Sequence, residues 1–119
     1  MADARRAVGA NGEAAVARWY AGAGYEVLAR NWRVREGEID LVVRRGSTLV
    51  FSEVKTRRGD AFGLPAEAVT AAKQARLRRL ARAWLGAHDA RADVVRFDVA
   101  SVRPDGRGGW DVDVIEAAF

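Results

Sequence analysis

Two β-rich runs, Glu38-Ile39-Asp40-Leu41-Val42-Val43-Arg44 and Leu49-Val50-Phe51-Ser52-Glu53-Val54-Lys55-Thr56, stand on either side of a short turn containing Gly46. Such a pair predicts a β-hairpin. Side chains alternate between faces along a strand, so Glu38, Asp40 and Val42 share one face of the first run, and Leu49, Phe51, Glu53 and Lys55 one face of the second. An even number of loop residues puts both sets on the same face of the sheet, and a four-residue loop, Arg45 to Thr48, sets Asp40 directly opposite Glu53. An odd loop separates them. Charged groups on the apolar side of a buried hairpin need an explanation, because unpaired charge is costly to bury.

The remaining chain supplies elements to pack around this hairpin. Helical periodicity from Arg5 to Gly22 gathers Gly9, Gly12, Val16, Trp19, Tyr20 and Ala23 on one side, with Glu13 inside the same stripe. Gly24 ends that helix, and Tyr25 to Val34 reads as a strand broken at Arg35-Glu36-Gly37. After a loop opening at Arg57-Arg58-Gly59-Asp60, a second helix is expected from the N-cap Thr70 to Leu85, closed by Gly86. Val69, Leu77, Leu80, Ala81 and Trp84 form its apolar face; Lys73 projects into the middle of that face, while Arg78, Arg79 and Arg82 point away. Strands Val94 to Val102 and Trp110 to Ile115, joined by a turn from Pro104 to Gly109, complete the order αβββαββ. The expected fold class is α/β, a single domain over residues 1–119 with a central mixed sheet flanked by helices.

Composition narrows the function classes. The 119 residues include no cysteine and one histidine, His88, which excludes thiol catalysis, disulfide scaffolds, thiolate zinc sites and histidine-rich metal sites. No apolar run approaches membrane-spanning length and the N-terminus lacks a signal-peptide pattern, so a cytoplasmic protein without a membrane partner is expected. The net charge is +4, unevenly spread: no acid occurs between Glu67 and Asp89, an interval holding Lys73, Arg76, Arg78, Arg79 and Arg82. That stripe suits either a phosphate backbone or a solvated helix face. Of 20 basic residues only two, Lys55 and Lys73, are lysines. In so arginine-rich a chain, these are the positions where a compact, titratable ammonium is needed.

Asp40, followed after twelve residues by Glu53-x-Lys55, is the pattern with chemical content. Two carboxylates on adjacent strands can share a hard divalent cation whose remaining positions go to water and phosphate oxygens. A neighbouring lysine can orient or deprotonate the attacking water, or neutralise charge developing on phosphate. The same spacing also serves a solvent-facing hairpin with cross-strand ion pairs, or a buried ion-pair network.

Asp40 and Glu53-Val54-Lys55, between a helix bearing Glu13 and a helix bearing Lys73, resemble the PD-(D/E)XK restriction-endonuclease-like fold, in particular the archaeal-type Holliday-junction resolvases. The chain as a whole resembles the YraN-like family of uncharacterised bacterial proteins. The matching elements are Gly12-Glu13, Gly24-Tyr25, Arg30-Asn31, Gly37 to Leu41, Phe51 to Arg57, Phe62-Gly63, Val69 with Lys73, Arg96-Phe97-Asp98 and Ala118-Phe119. Ser52 departs from the valine usual there, and Ile39 replaces the proline of the superfamily's name. The resemblance implies Asp40, Glu53 and the Val54 carbonyl as ligands of Mg²⁺ or Mn²⁺, Lys55 as the catalytic lysine, and Glu13 as the residue completing the acidic cluster. It implies Lys73 near substrate phosphate, with Arg76 and Arg57 as further nucleic-acid contacts. A snorkelling Lys73 and a Glu13 satisfied at the core edge are the structural alternatives. Glu38 is placed to share ligation or to fix the turn, and Asp98 to serve as a structural hydrogen-bonding residue. Trp19, Trp32, Trp84 and Trp110 are expected mostly in the core, with Trp32, beside Arg30, Arg33 and Arg35, also placed to stack on an unpaired base. The implied function is phosphodiester hydrolysis in structured or branched DNA by a homodimer; the alternative is a nucleic-acid-binding module of the same fold without catalysis.

Overall fold

The Gly46-Ser47 turn sets the register of the sheet. Strands β2 (Gly37–Arg45) and β3 (Thr48–Thr56) pair antiparallel, with Arg45 opposite Thr48 and Arg44 opposite Leu49. The loop is therefore two residues long, of the even parity that keeps both charged sets on one face, with Arg44 paired to Leu49. The computed structural model describes residues 4–57 and 69–119, and of residues 4–10 only the helical backbone. Loop residues Arg58, Gly59 and Asp60 and the Phe62-Gly63 element lie outside the described residues, as does the side of Gly9 in the first helix.

Around this hairpin the sheet runs β1-β2-β3-β4-β5, with β1 at Glu26–Val34, β4 at Val94–Pro104 and β5 at Trp110–Ile115. Only β3 and β4 are parallel, and the chain crosses between them through helix α2 (Ala71–Ala87). Parallel neighbours require such a crossover. Helix α1 (Ala4–Gly22) covers the other face. Its Ala15, Val16 and Tyr20 pack on Leu41, Val43, Val50 and Val102. On the opposite face Leu77, Leu80 and Trp84 of α2 pack on Ile39, Val42, Leu49, Phe51 and Phe97. The order αβββαββ and the mixed α/β sheet agree with the sequence reading. No helix among the described residues is long and apolar enough to cross a membrane.

Local chemistry fixes the helix ends. Gly24, at φ +91°, closes α1 in a Schellman motif: Tyr25 N donates to Tyr20 O at 3.0 Å and Gly24 N to Ala21 O at 3.1 Å. The accompanying contact is Tyr20 edge-on to Tyr25, 5.3 Å between centroids. Thr70 caps α2, its Oγ1 accepting from Lys73 N at 3.3 Å. Gly86 does not close α2. The helix continues to Ala87, because His88 caps it: its N–H donates to Trp84 O at 3.1 Å and its ring stacks on Trp84, 4.3 Å away at 19°.

Three side chains differ from their expected placement. Trp19 lies at the edge of the α1 stripe, 37% exposed and edge-on to Tyr20. Lys73 sits in the first turn of α2, where the apolar face runs out, and is exposed. Arg78 does not simply point into solvent, since its guanidinium lies 4.8 Å over the Phe97 ring and 5.4 Å from that of Phe119. Such stacking lets an arginine cover apolar surface while keeping its charge hydrated.

A buried polar cluster joins α1 to the sheet centre. Asp98 is fully buried and accepts from Arg96 Nε at 2.8 Å and Nη2 at 3.0 Å, from Tyr20 Oη at 2.7 Å and from Ala117 N at 3.1 Å. Arg96 Nη2 also reaches Tyr25 Oη at 3.0 Å, and the equally buried Ser52 Oγ lies 3.0 Å from the Tyr20 hydroxyl. The departure from valine at Ser52 is thereby satisfied, and Asp98 has the structural role expected of it. Burial and the Asp98 charge push the Tyr20 hydroxyl well above its ordinary value, so it stays a donor. Replacing Tyr20 with Phe removes one bond to a buried carboxylate, and urea unfolding should register a loss of about 1.5–3 kcal/mol. A loss below about 0.5 kcal/mol would show that Arg96 and Ala117 N satisfy Asp98 without it.

Candidate functional site

The hairpin forks at its open end. The β2–β3 ladder runs from Arg45 opposite Thr48 to Leu41 opposite Ser52 and stops there. Continued regularly it would bring Asp40 opposite Glu53, as the sequence predicts. Instead the side chain of Asp40 takes the place of the next backbone partner, its Oδ2 accepting from Val54 N at 2.8 Å. A backbone N–H of β3 lies near the sheet plane, so the Asp40 carboxylate must turn into that plane, inside the fork. Both backbone groups of a strand residue point to the same edge, so the Val54 carbonyl faces the fork too.

The distortion is visible on β2 and on its neighbour β1. Ile39 and Val42, three positions apart, both belong to the α2 side of the core, which strict alternation forbids. The β1–β2 pairing places Arg30 opposite Leu41 and Trp32 opposite Ile39, so the residue across from Asp40 is Asn31. Asn31 has φ +52°. Asparagine is among the few residues that tolerate this left-handed conformation, and there β1 changes phase: Trp32 and Val34 join Ala29 on the α2 side. Trp32 is thereby committed to packing beside His88, with ring centroids 6.1 Å apart, and is not presented for base stacking.

Glu53 and Lys55 project from β3 on the side facing α2. Lys55 Nζ lies 3.1 Å from Glu53 Oε1, and both side chains are about three-quarters buried, with 26% and 23% of their surface exposed. Helix α1 delivers Glu13 from the other face. The adjacent Gly12 packs so tightly on the sheet that a methyl group there would sit 3.0 Å from Val102 Cγ1 and 3.1 Å from Thr56 Oγ1. Glu13 is hydrogen-bonded to the Asn31 side chain; burial raises its pKa, the bond to Asn31 opposes that, and the charge of Glu38 adds to it. Asp40 is shifted furthest, to about 7, by burial first and then by Glu53, with Glu13 and Glu38 adding to the rise and the Val54 N–H opposing it.

Beside the fork a cleft of about 250 Å³ is lined by Glu38, Asp40, Glu53, Lys73 and Arg76 over a floor that includes Leu77 and Leu80. The structure thus brings together Asp40, Glu53, Lys55, Glu13 and Val54, and sets Lys73 and Arg76 at the cleft. Glu38 is drawn toward the β1 edge by Arg33, whose Nε lies 3.4 Å from Glu38 Oε2. Arg57 follows β3 directly, its N–H donating to Val102 O at 2.8 Å, and is not among the described cleft residues. Among the described residues no three carboxylate or imidazole side chains close on one point as a ready coordination cage. What the fork offers is two carboxylates and a peptide carbonyl, hard oxygen donors that leave most of an octahedral shell to water and ligand.

The sequence profile of the uncharacterised protein family UPF0102 matches residues 12–102, a span containing every one of these site residues. The chain belongs to the UPF0102 family. A UPF0102 protein of Beutenbergia cavernae is 59% identical over 99 residues, covering 83% of this chain and 84% of the relative. One from Frankia casuarinae is 51% identical over 116 residues, covering 98% of both. Another, from Symbiobacterium thermophilum, is 49% identical over 114 residues, covering 96% and 97%.

Within this UPF0102 chain, the ionisation of Asp40 has a measurable consequence for stability. The folded state holds the Asp40 proton up to about pH 7, whereas the ordinary value of the group is 3.8. Below pH 4 the carboxyl is neutral in both states and costs nothing; between pH 4 and 7 stability is lost, and above 7 the loss is complete. Asp40→Asn keeps an acceptor for the Val54 N–H and removes the charge. Its unfolding free energy, from urea melts, should equal the wild type's near pH 4 and exceed it at pH 8, by an amount on the order of 2 kcal/mol. Parallel melting profiles across that range would show that Asp40 ionises in the folded chain as it does in water.

Proposed function

We propose that this UPF0102 protein is a metal-dependent nuclease of the restriction-endonuclease-like PD-(D/E)XK type, hydrolysing phosphodiester bonds in structured or branched DNA. One observation carries this reading: the sheet is opened at Asp40 so that two carboxylates, a backbone carbonyl and a lysine converge beside a cleft whose α2 wall carries Lys73 and Arg76. A purely structural ion-pair network would neutralise its acids, as Arg96 neutralises Asp98. At the fork, burial first and then the neighbouring acids Glu53, Glu13 and Glu38 raise Asp40 instead. The element order and the arrival of Glu13 from the first helix support the assignment of fold type.

The donor set fits Mg²⁺ or Mn²⁺, held by Asp40, Glu53 and the Val54 carbonyl. When bound, the ion supplies charge stabilisation at the phosphate and a more acidic water. Asp40 is held in the fork through its bond to Val54 N, which occupies Oδ2. Lys55 is anchored 3.1 Å from Glu53, so its ammonium stays beside the cleft, where it can orient the attacking water or donate to a phosphate oxygen. Glu13 completes the acidic cluster from the α1 side. Lys73 and Arg76 line the cleft on the side where the DNA backbone would lie, and Arg57, directly after β3, is a further candidate contact. Two opposed cuts across a junction need two sites, so the form acting on a four-way junction is a homodimer, working on DNA in the cytoplasm. A non-catalytic binding module of the same fold is the alternative outcome of the test.

Calorimetric titration of Mg²⁺ and Mn²⁺ into wild type and into the Asp40→Ala, Glu53→Ala double variant should give binding only in the former. On duplex, flapped and four-way-junction DNA the same samples should show cleavage only by wild type. Lys55→Met should keep metal binding and lose about 100-fold or more in cleavage rate. DNA binding without metal binding or cleavage would assign the binding module, and metal binding that survives in the double variant would move the site elsewhere.

A further inference from the structure

The cleft shows cations on one flank of the fork, the α2 flank. The other flank carries them as well. Arg30 and Arg33 lie on β1, the edge strand of the sheet, at the same end as the fork, and both are exposed. Arg30 pairs with Leu41 and Arg33 with Glu38 in the β1–β2 ladder, one residue after Asp40 in the first case and two residues before it in the second. Both arginines act electrostatically on Glu13. Across the end of the sheet the order is therefore Arg30 and Arg33 on β1, Glu38 and Asp40 on β2, Glu53 and Lys55 on β3, with Lys73 and Arg76 on α2 above.

Neither arginine is consumed by its carboxylate neighbours. Arg33 is 77% exposed and its contact with Glu38 is 3.4 Å, a solvated pair worth little. A divalent cation among the carboxylates would leave this end of the molecule with excess positive charge on both flanks. Adjacent strands are about 4.8 Å apart, so β1 stands roughly 10 Å from β3. That distance suits arginine side chains reaching phosphates on either side of one seated at the fork. The asparagine turn at Asn31 gives this geometry a local cause, since it sits between the two arginines and holds Glu13.

We infer that the β1 edge, through Arg30 and Arg33, is a second phosphate-contact surface, so that a nucleic-acid backbone crosses the fork held from both sides. This rests on the nuclease reading of the fork and specifies how its substrate lies.

The test uses a fluorescein-labelled 20-base-pair duplex and a four-way junction in Ca²⁺, with affinity measured by anisotropy between 50 and 300 mM salt. The Arg30→Gln, Arg33→Gln double variant should bind about tenfold more weakly at the lowest salt. Two lost phosphate contacts should also make the slope of log affinity against log salt shallower by about 1.8. Restoring charge as Arg30→Lys, Arg33→Lys should recover the slope, which a folding defect would not. The control Arg79→Gln, Arg82→Gln removes two exposed charges further along α2. An equal slope change in that control would show a general charge effect and overturn the edge assignment. So would an unchanged slope in the β1 variant alongside a loss in Lys73→Gln, Arg76→Gln, while leaving the nuclease reading in place. Wild type that binds neither DNA would remove the nuclease reading, and this inference with it.

Discussion

The hydrogen bond from Val54 N to Asp40 Oδ2 decides the shape of the functional end of the molecule. A strand that leaves its neighbour abandons a backbone donor, and burying one unpaired costs about 1–3 kcal/mol. Opening β2 from β3 is therefore possible only if something replaces the missing carbonyl. Asp40 does so with a carboxylate, which is both a stronger acceptor than a peptide oxygen and a charge. The same contact that repairs the sheet thus fixes an acid in the gap it creates. Asn31 on one side and the Val54 carbonyl on the other follow from that choice, because both strands next to β2 must accommodate its turn.

Two buried or half-buried carboxylates in one small domain have opposite environments, and the contrast separates structure from chemistry. Asp98 receives four hydrogen bonds, two from one guanidinium, and sits at the junction of α1, β3 and β4. Removing a partner from such a group is expensive, but as it stands it is fully compensated. Asp40 receives one backbone N–H and faces Glu53, Glu13 and Glu38, so its charge is opposed. Stability alone would favour a neutral acceptor there. Strain of this electrostatic kind is common where a protein keeps a group ready for an ion or a substrate. The rigid Asp98 cluster is what allows it, since it locks the helix that brings Glu13 to the fork.

Sequence patterns reveal the frame of this molecule more readily than its irregularities. The Gly46 turn, the parity of the hairpin, the cap at Thr70 and the two apolar helix faces all follow from short-range rules, and each appears in the structure. The convergence of Asp40, Glu53 and Lys55 follows from parity as well, although the detail differs: Asp40 is in the sheet plane, not on its face. That could not be read from alternation, which presumes a regular strand through Ile39, Asp40 and Leu41. The single local hint was an asparagine in the middle of β1, a residue that tolerates φ above zero. Trp19, Arg78 and Gly86 were misplaced for a related reason. Their positions depend on tertiary partners: the exposed rim of α1, the Phe97 and Phe119 rings, and the stacking of His88 on Trp84.

The nearly exclusive use of arginine makes the two lysines informative in retrospect. A guanidinium at position 55 would sit beside Glu53 as a bidentate partner, planar and permanently charged, and would tend to neutralise the carboxylate. An ammonium offers a point contact at one oxygen, 3.1 Å from Oε1, and leaves the rest of the Glu53 carboxylate available. On the nuclease reading that difference matters twice, because Glu53 must still face a cation while Lys55 must still turn a proton toward phosphate or water. A chain that accepts arginine almost everywhere else but keeps lysine at this position matches a requirement for incomplete neutralisation.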